Sequence, residues 1–143
     1  MRSVFFGLTT KLLAKIFFVE MPPLISVTAL IRKEKTFLFQ ELSYKRGLGL
    51  PGGIMKTNET AEEALKREVK EETNLDAISS TYLGSVVSSS GGIATLSLVF
   101  DVAVTGKEID SIEGSLLWLL PQNAQGRLAY LSAEEALSRF AKF

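Results

Sequence analysis

Gly53–Leu75 has the sequence GIMKTNETAEEALKREVKEETNL. Thr60 with Glu63 three residues on forms a capping box, and Asn74 suits the left-handed conformation that ends a helix. A helix is therefore expected over Thr60–Thr73. Successive side chains on it rotate by about 100°, which gathers Ala61, Ala64, Leu65 and Val69 on one apolar arc. Glu62, Glu63, Lys66, Arg67 and Lys70 fall on the opposite arc, toward solvent. Glu68 and Glu72 do not join them: they lie inside the apolar arc one turn apart, with Glu71 at its edge. A carboxylate withdrawn from water is costly unless paired, and two close carboxylates also repel each other. Arg67 stands four residues before Glu71 and can bridge to it; nothing comparable in the helix neutralises Glu68 and Glu72. An arginine from elsewhere, such as Arg46 or Arg127, is one account. A divalent cation held by hard oxygen ligands at i, i+3 and i+4 is the better one.

Just upstream, Gly47-Leu48-Gly49-Leu50-Pro51-Gly52-Gly53 packs four glycines and a proline into seven residues. Such a run signals special backbone geometry, and Pro51-Gly52-Gly53 lets the main chain approach a ligand, with carbonyls for a metal and amides for phosphate oxygens. Around this centre the pattern is of strands: Leu24–Arg32, Thr36–Leu42, Leu83–Ser88, Ile93–Thr105 with its alternating Leu96, Leu98, Phe100, Val102 and Val104, and Leu116–Leu120. Trp118 reads as a core strand aromatic. A closing helix is expected over Ser132–Phe140, with Ser132 and Glu135 as a second capping box. The order is that of a single α/β (α+β) domain, a sandwich over residues 21–143.

Composition narrows the chemistry. The chain has 143 residues, 46% of them hydrophobic, with no cysteine, no histidine and zero formal net charge. Disulfides, thiolate nucleophiles, histidine bases and histidine-ligated metals are thereby excluded, so acid–base and metal chemistry must run on carboxylates. The zero net charge hides a division: residues 1–56 sum to +6 and the remainder to −6, with seven acids between Glu59 and Asp76. No nucleic-acid partner is expected from this balance.

Residues 1–20 read as an amphipathic helical extension with Phe5, Leu8, Leu12, Ile16 and Val19 at helical spacing, ended by Met21-Pro22-Pro23. The stretch is too short and too charged for a membrane span, and no small-residue cleavage site follows, so a cytoplasmic protein is expected. Packing on its own domain, packing on a second subunit as a homodimer, and peripheral membrane-surface contact are the readings for this extension. Met21 is an alternative start.

The spacing from Gly53 through Glu59 to Arg67-Glu68-Val69-Lys70-Glu71-Glu72-Thr73-Asn74-Leu75 resembles the Nudix box, G-x5-E-x7-R-E-U-x-E-E-x-G-U with U aliphatic. Asn74 departs from it, standing where the family has glycine. The resemblance implies a Nudix-type α/β/α sandwich with a mixed sheet, plus the extra N-terminal helix. It also implies hydrolysis of a nucleoside diphosphate derivative with Mg2+ or Mn2+. Carried over, Glu68 and Glu72 are metal ligands with the Gly52 carbonyl, and Glu71 is a ligand or the water-activating base. Arg67 orients the glutamates, and Glu59 braces the loop or reaches a further metal. Some members take their base from a loop outside the box, for which Glu108, Asp110 and Glu113 are the candidates. Tyr44, Arg46 and Gly53, around the glycine run, are candidates for substrate binding, and Lys45 lies beside them. Marks of the ADP-ribose and diadenosine-polyphosphate subclasses are missing. A nucleoside triphosphate is therefore the first expectation and ADP-ribose or a nucleotide sugar the second. A non-catalytic nucleotide-binding module is the rival from another class.

Overall fold

The computed structural model describes residues 22–142. The chain runs β1 (Leu24–Lys33), β2 (Thr36–Leu42), β3 (Leu48–Gly49), β4 (Gly52–Ile54), α1 (Ala61–Thr73), β5 (Asp76–Ser90), β6 (Ile93–Thr105), β7 (Gly114–Leu119), α2 (Pro121–Ala124) and α3 (Leu131–Phe140). The helix expected over residues 1–20, and the contacts proposed for it, lie outside the described residues.

β1 organises a seven-stranded mixed sheet. One side of it pairs parallel with β6 over Leu24–Ile31, and the other pairs antiparallel with β4 over Ser26–Thr28. Its far end turns into β2, which carries β7 along Phe37–Leu42 and β3 at Gln40 and Glu41. β5 lines the opposite edge against β6. Odd-numbered β1 side chains Val27, Ala29 and Ile31 pack with Leu65 and Val69 of α1 and with Phe100 and Val102 of β6. Leu30 faces the other way, with Phe39, Val99 and Leu137 of α3. Helices on both faces make the α/β/α sandwich, which is why β1 is rich in aliphatic side chains on both of its faces.

The ends of α1 follow the sequence closely. Thr60 accepts the Glu63 amide at 3.2 Å, and Glu63 accepts the Thr60 amide at 2.9 Å. Asn74 is left-handed at φ 64°, and its side-chain amide donates to the Lys107 carbonyl at 3.1 Å. Glycine cannot make that last bond, so the departure from the family pattern brings a tether of its own.

Elsewhere the structure corrects the sequence reading. Ser132 and Glu135 do not cap α3. Tyr130 is its N-cap residue, and no side chain closes the first turn. Ser132 already lies inside the helix; Glu135 pairs with Arg139, and Glu134 reaches back to the Gly126 amide at 2.7 Å. β5 starts at Asp76, not at Leu83, because backbone pairing with β6 carries the polar run Ser79-Ser80-Thr81 along an exposed edge where side-chain pattern means little. Trp118 is partly buried against the α1-side core, and its ring N–H donates to Glu108 at 3.0 Å. Among the described residues, no helix is long and apolar enough to cross a membrane.

Candidate active site

β4 and α1 meet at a glycine pair. Gly52 has φ 153°, and a Cβ there would stand 2.1 Å from the Val27 carbonyl oxygen of β1. A Cβ on Gly53 would stand 2.6 Å from the Glu68 carboxyl group. The first obstacle is fixed backbone and the second is the end of a side chain. Gly52→Ala is therefore expected to lower the melting temperature markedly. Gly53→Ala is expected to keep the fold while displacing Glu68, with turnover falling by about tenfold or more, as when a partner behind a metal ligand is lost. Thermal melts and kinetics on the two variants check the contrast.

Arg67 does not point to solvent as its helical angle suggests. Its side chain is 19% exposed because it folds back across the turn before α1. Nε donates to Glu59 Oε1 at 2.6 Å and Nη2 to Glu59 Oε2 at 3.0 Å, a two-pronged pair. Nη1 donates to Glu68 at 2.6 Å and to Glu71 at 3.3 Å, and Nη2 also reaches the Ile54 carbonyl at 3.2 Å. Glu68 thus has a cationic partner on its own helix, contrary to the sequence reading. The rotation rule places Cβ atoms and ignores the reach of a long stem. Among the described residues, neither Arg46 nor Arg127 pairs with either glutamate; Arg127 donates to the Asn123 carbonyl.

Glu59 also accepts the Lys56 amide at 2.8 Å, so it braces the loop leading into α1. The Arg67 guanidinium, helped by that amide, holds its carboxyl down at about 2. A carboxyl depressed on folding stabilises the protein above its unfolded value, near 4.5, and loses that contribution as pH falls toward 2. Glu59→Gln is expected to have lost that contribution already at pH 7. Its melting temperature should therefore fall less than the parent's between pH 5 and pH 2.5, as thermal melts across that range will read.

Glu72 is the opposite case. It is 7% exposed and accepts the Gly52 amide at 2.9 Å. Burial pushes its carboxyl up to about 9, against the lowering effect of the Gly52 amide and with help from Glu113, hydrogen-bonded to it, and from nearby Glu68. No cationic side chain pairs with it among the described residues. Nor do three acidic side chains stand ready as a closed cation cage among them, since Arg67 draws Glu59, Glu68 and Glu71 to itself. The donor set nevertheless fits a hard divalent cation. The buried Glu72 carboxyl stands beside those of Glu68 and Glu113 at a glycine turn, and a cation would offset the repulsion among them.

Of the three loop candidates, only Glu113 reaches this centre. Glu108 is engaged by the Trp118 ring N–H, and Asp110 accepts the Leu116 amide at 2.9 Å within its own turn. Glu71 is 55% exposed in its side chain at the edge of α1. Tyr44 stands near Glu72 and Glu113, whereas Arg46 is exposed. Sequence reasoning missed Tyr130, whose phenol meets that of Tyr44 at 3.3 Å; nothing in its local sequence signalled this.

The model of the NUDIX domain matches residues 22–137, taking in the whole of this centre. The chain belongs to the NUDIX family. An ADP-ribose pyrophosphatase of Methanocaldococcus jannaschii is 34% identical over 92 residues, 61% of this chain and 54% of that protein. The match therefore spans about half the length of that curated relative. Among solved structures, a MutT protein from Methanosarcina mazei Go1 is 28% identical with a TM-score of 0.72, over 85% of this chain and 95% of that one. A MutT NUDIX hydrolase from Burkholderia pseudomallei gives a TM-score of 0.73 at 22% identity, over 84% and 99%. This last likeness concerns the fold alone. This NUDIX domain carries the Gly52–Gly53 turn on β4, and the Arg67 clamp and buried Glu72 on α1.

Proposed function

We propose that this NUDIX domain hydrolyses a diphosphate linkage in a nucleoside diphosphate derivative with Mg2+ or Mn2+. The observation that carries the reading is Glu72, buried beside two other carboxylates and without a cationic partner among the described residues. Packing alone does not reward such a group, and a bound cation does. Glu68 and Glu72, with the Gly52 carbonyl, would hold the cation. When bound, it neutralises the diphosphate and polarises the phosphorus–oxygen bond under attack.

The chain's own residues do the rest. Arg67 fixes Glu68 and Glu71 against the Glu59 brace, so the carboxylates meet their ligand in one arrangement. As water attacks phosphorus and the anhydride bond breaks, one phosphate keeps the new oxygen and the other departs with the bridging one. A carboxylate must take the water's proton, because the chain has no histidine. Glu71 and Glu113 are the two candidates. Replacing the base by glutamine lowers kcat and removes its limb of the pH profile; replacing the other leaves that limb in place.

Two substrate classes follow from different observations. The missing subclass marks suit a nucleoside triphosphate, and the relative named ADP-ribose pyrophosphatase suits ADP-ribose. Incubating the full chain and Mg2+ with both kinds of nucleotide separates them by product. A triphosphate yields the monophosphate and pyrophosphate, and ADP-ribose yields AMP and ribose 5-phosphate. Absence of any turnover that Glu72→Gln removes would leave the non-catalytic binding module as the better reading.

A further inference from the structure

The aromatic pair beside the carboxylates has no part in the chemistry above. Tyr44, 61% exposed, and Tyr130, 40% exposed, join their phenols at 3.3 Å. Among the described residues, no other aromatic ring packs on Tyr44, so its face is open. Tyr130 is held from behind by Lys45, whose ammonium sits 4.2 Å from the ring centre.

Both supports are pinned by backbone. Ser43 donates its amide to the Glu113 carbonyl and its hydroxyl to the Ile112 carbonyl, each at 2.8 Å. Tyr44 is thereby tied to the turn whose Glu113 side chain meets Glu72. On the other side, Leu48 of β3 donates to the Arg127 carbonyl at 2.9 Å, and Ala129 donates back to Leu48 at 2.8 Å. That fixes the segment leading into Tyr130. Gly47 permits the close approach, since a Cβ there would stand 2.9 Å from the Arg127 carbonyl oxygen.

We propose that Tyr44 supplies the face on which the substrate's nucleobase stacks, and that Tyr130 is the positioning residue that holds Tyr44 in place. The inference rests on the reading that the chain takes a nucleotide. An exposed ring fixed at a preformed site binds a base without ordering itself first, and any base has a face to offer it. Tyr44 directly follows Ser43, whose amide bonds to the Glu113 carbonyl, so the ring is carried on the turn that also bears the Glu113 carboxylate.

The test uses the full chain with Mg2+ and whichever of GTP or ADP-ribose it hydrolyses. Tyr44→Ala is expected to raise KM by about 5- to 150-fold, the range for loss of one base–aromatic stack, while kcat holds. Tyr44→Phe, which keeps the ring, recovers most of that loss. Inorganic triphosphate carries no base, so its inhibition constant against Tyr44→Ala should match the parent's. Tyr130→Phe raises KM a few-fold in the parent and not at all in the Tyr44→Ala background, because it acts through Tyr44. An unchanged KM for Tyr44→Ala overturns the inference, as does equal weakening toward inorganic triphosphate or a Tyr130→Phe effect that persists without Tyr44. The separate control is turnover itself: if the parent shows none with either nucleotide, the hydrolase reading falls, whereas full turnover in Glu72→Gln removes only the assignment of Glu72 as a metal ligand, whatever the tyrosines do.

Discussion

Glu72→Gln is expected to reduce turnover by more than about 100-fold and to leave the metal-free protein at least as heat-stable as the parent. Loss of a partner one layer behind a metal ligand already lowers activity by about 10- to 100-fold, and Glu72 would be a ligand itself. Stability moves the other way because the group is 7% exposed and crowded by Glu68 and Glu113. The amide has the same shape, still accepts the Gly52 N–H through its oxygen, and carries no charge to bury. Glu68→Gln is the instructive contrast. Its carboxylate has the Arg67 guanidinium at 2.6 Å, so neutralising it weakens an ion pair and should lower the melting temperature as well as activity. Melts in the presence of a chelator and turnover with added Mg2+ read both arms. A Glu72→Gln protein that melts well below the parent and still turns over would assign Glu72 to the scaffold instead.

The reason that Glu72 stood out in the sequence while Glu113 did not is physical. Whether a side chain lies on the buried arc of one helix depends on local rotation, so Glu68 and Glu72 could be placed on that arc from Leu65 and Val69 alone. The helix ends were equally local, set by Thr60, Glu63 and Asn74. Arg67 marks the limit of that logic, because its guanidinium travels far from its own Cα and comes to rest over Glu59 and the Ile54 carbonyl. Glu113 joins Glu72 through the pairing of β2 with β7 and the turn at Ser111–Gly114, which no window around either residue contains. The start of β5 was hidden for a related reason. An edge strand takes its conformation from backbone bonds to β6, and its serines report solvent, not structure. Tyr44 and Tyr130 meet only because β3 bonds to the segment before α3.

Arg67→Ala should damage stability and catalysis together, in contrast to Glu72→Gln. Among the described residues, the guanidinium is the one cation shared by Glu59, Glu68 and Glu71, and the Glu59 and Glu68 side chains are only 13% and 12% exposed. Removing one partner of a largely buried charge pair leaves the other uncompensated, which does more harm than never having had the pair. A fall in melting temperature of roughly 5–10 °C is expected for a domain of this size. Turnover should drop by about 10- to 100-fold even at saturating Mg2+, because Glu68 and Glu71 no longer have a fixed orientation. Arg67→Lys restores the charge without the fork. A single ammonium cannot hold both oxygens of Glu59 and also reach Glu68, so it should recover more of the stability than of the turnover. If lysine restores turnover fully, charge compensation is all that Arg67 provides. If alanine leaves the melting temperature unchanged, the clamp does not hold the turn before α1. The combination expected here, stability partly rescued and turnover not, requires that the fork's geometry reach the carboxylates that would hold the ion.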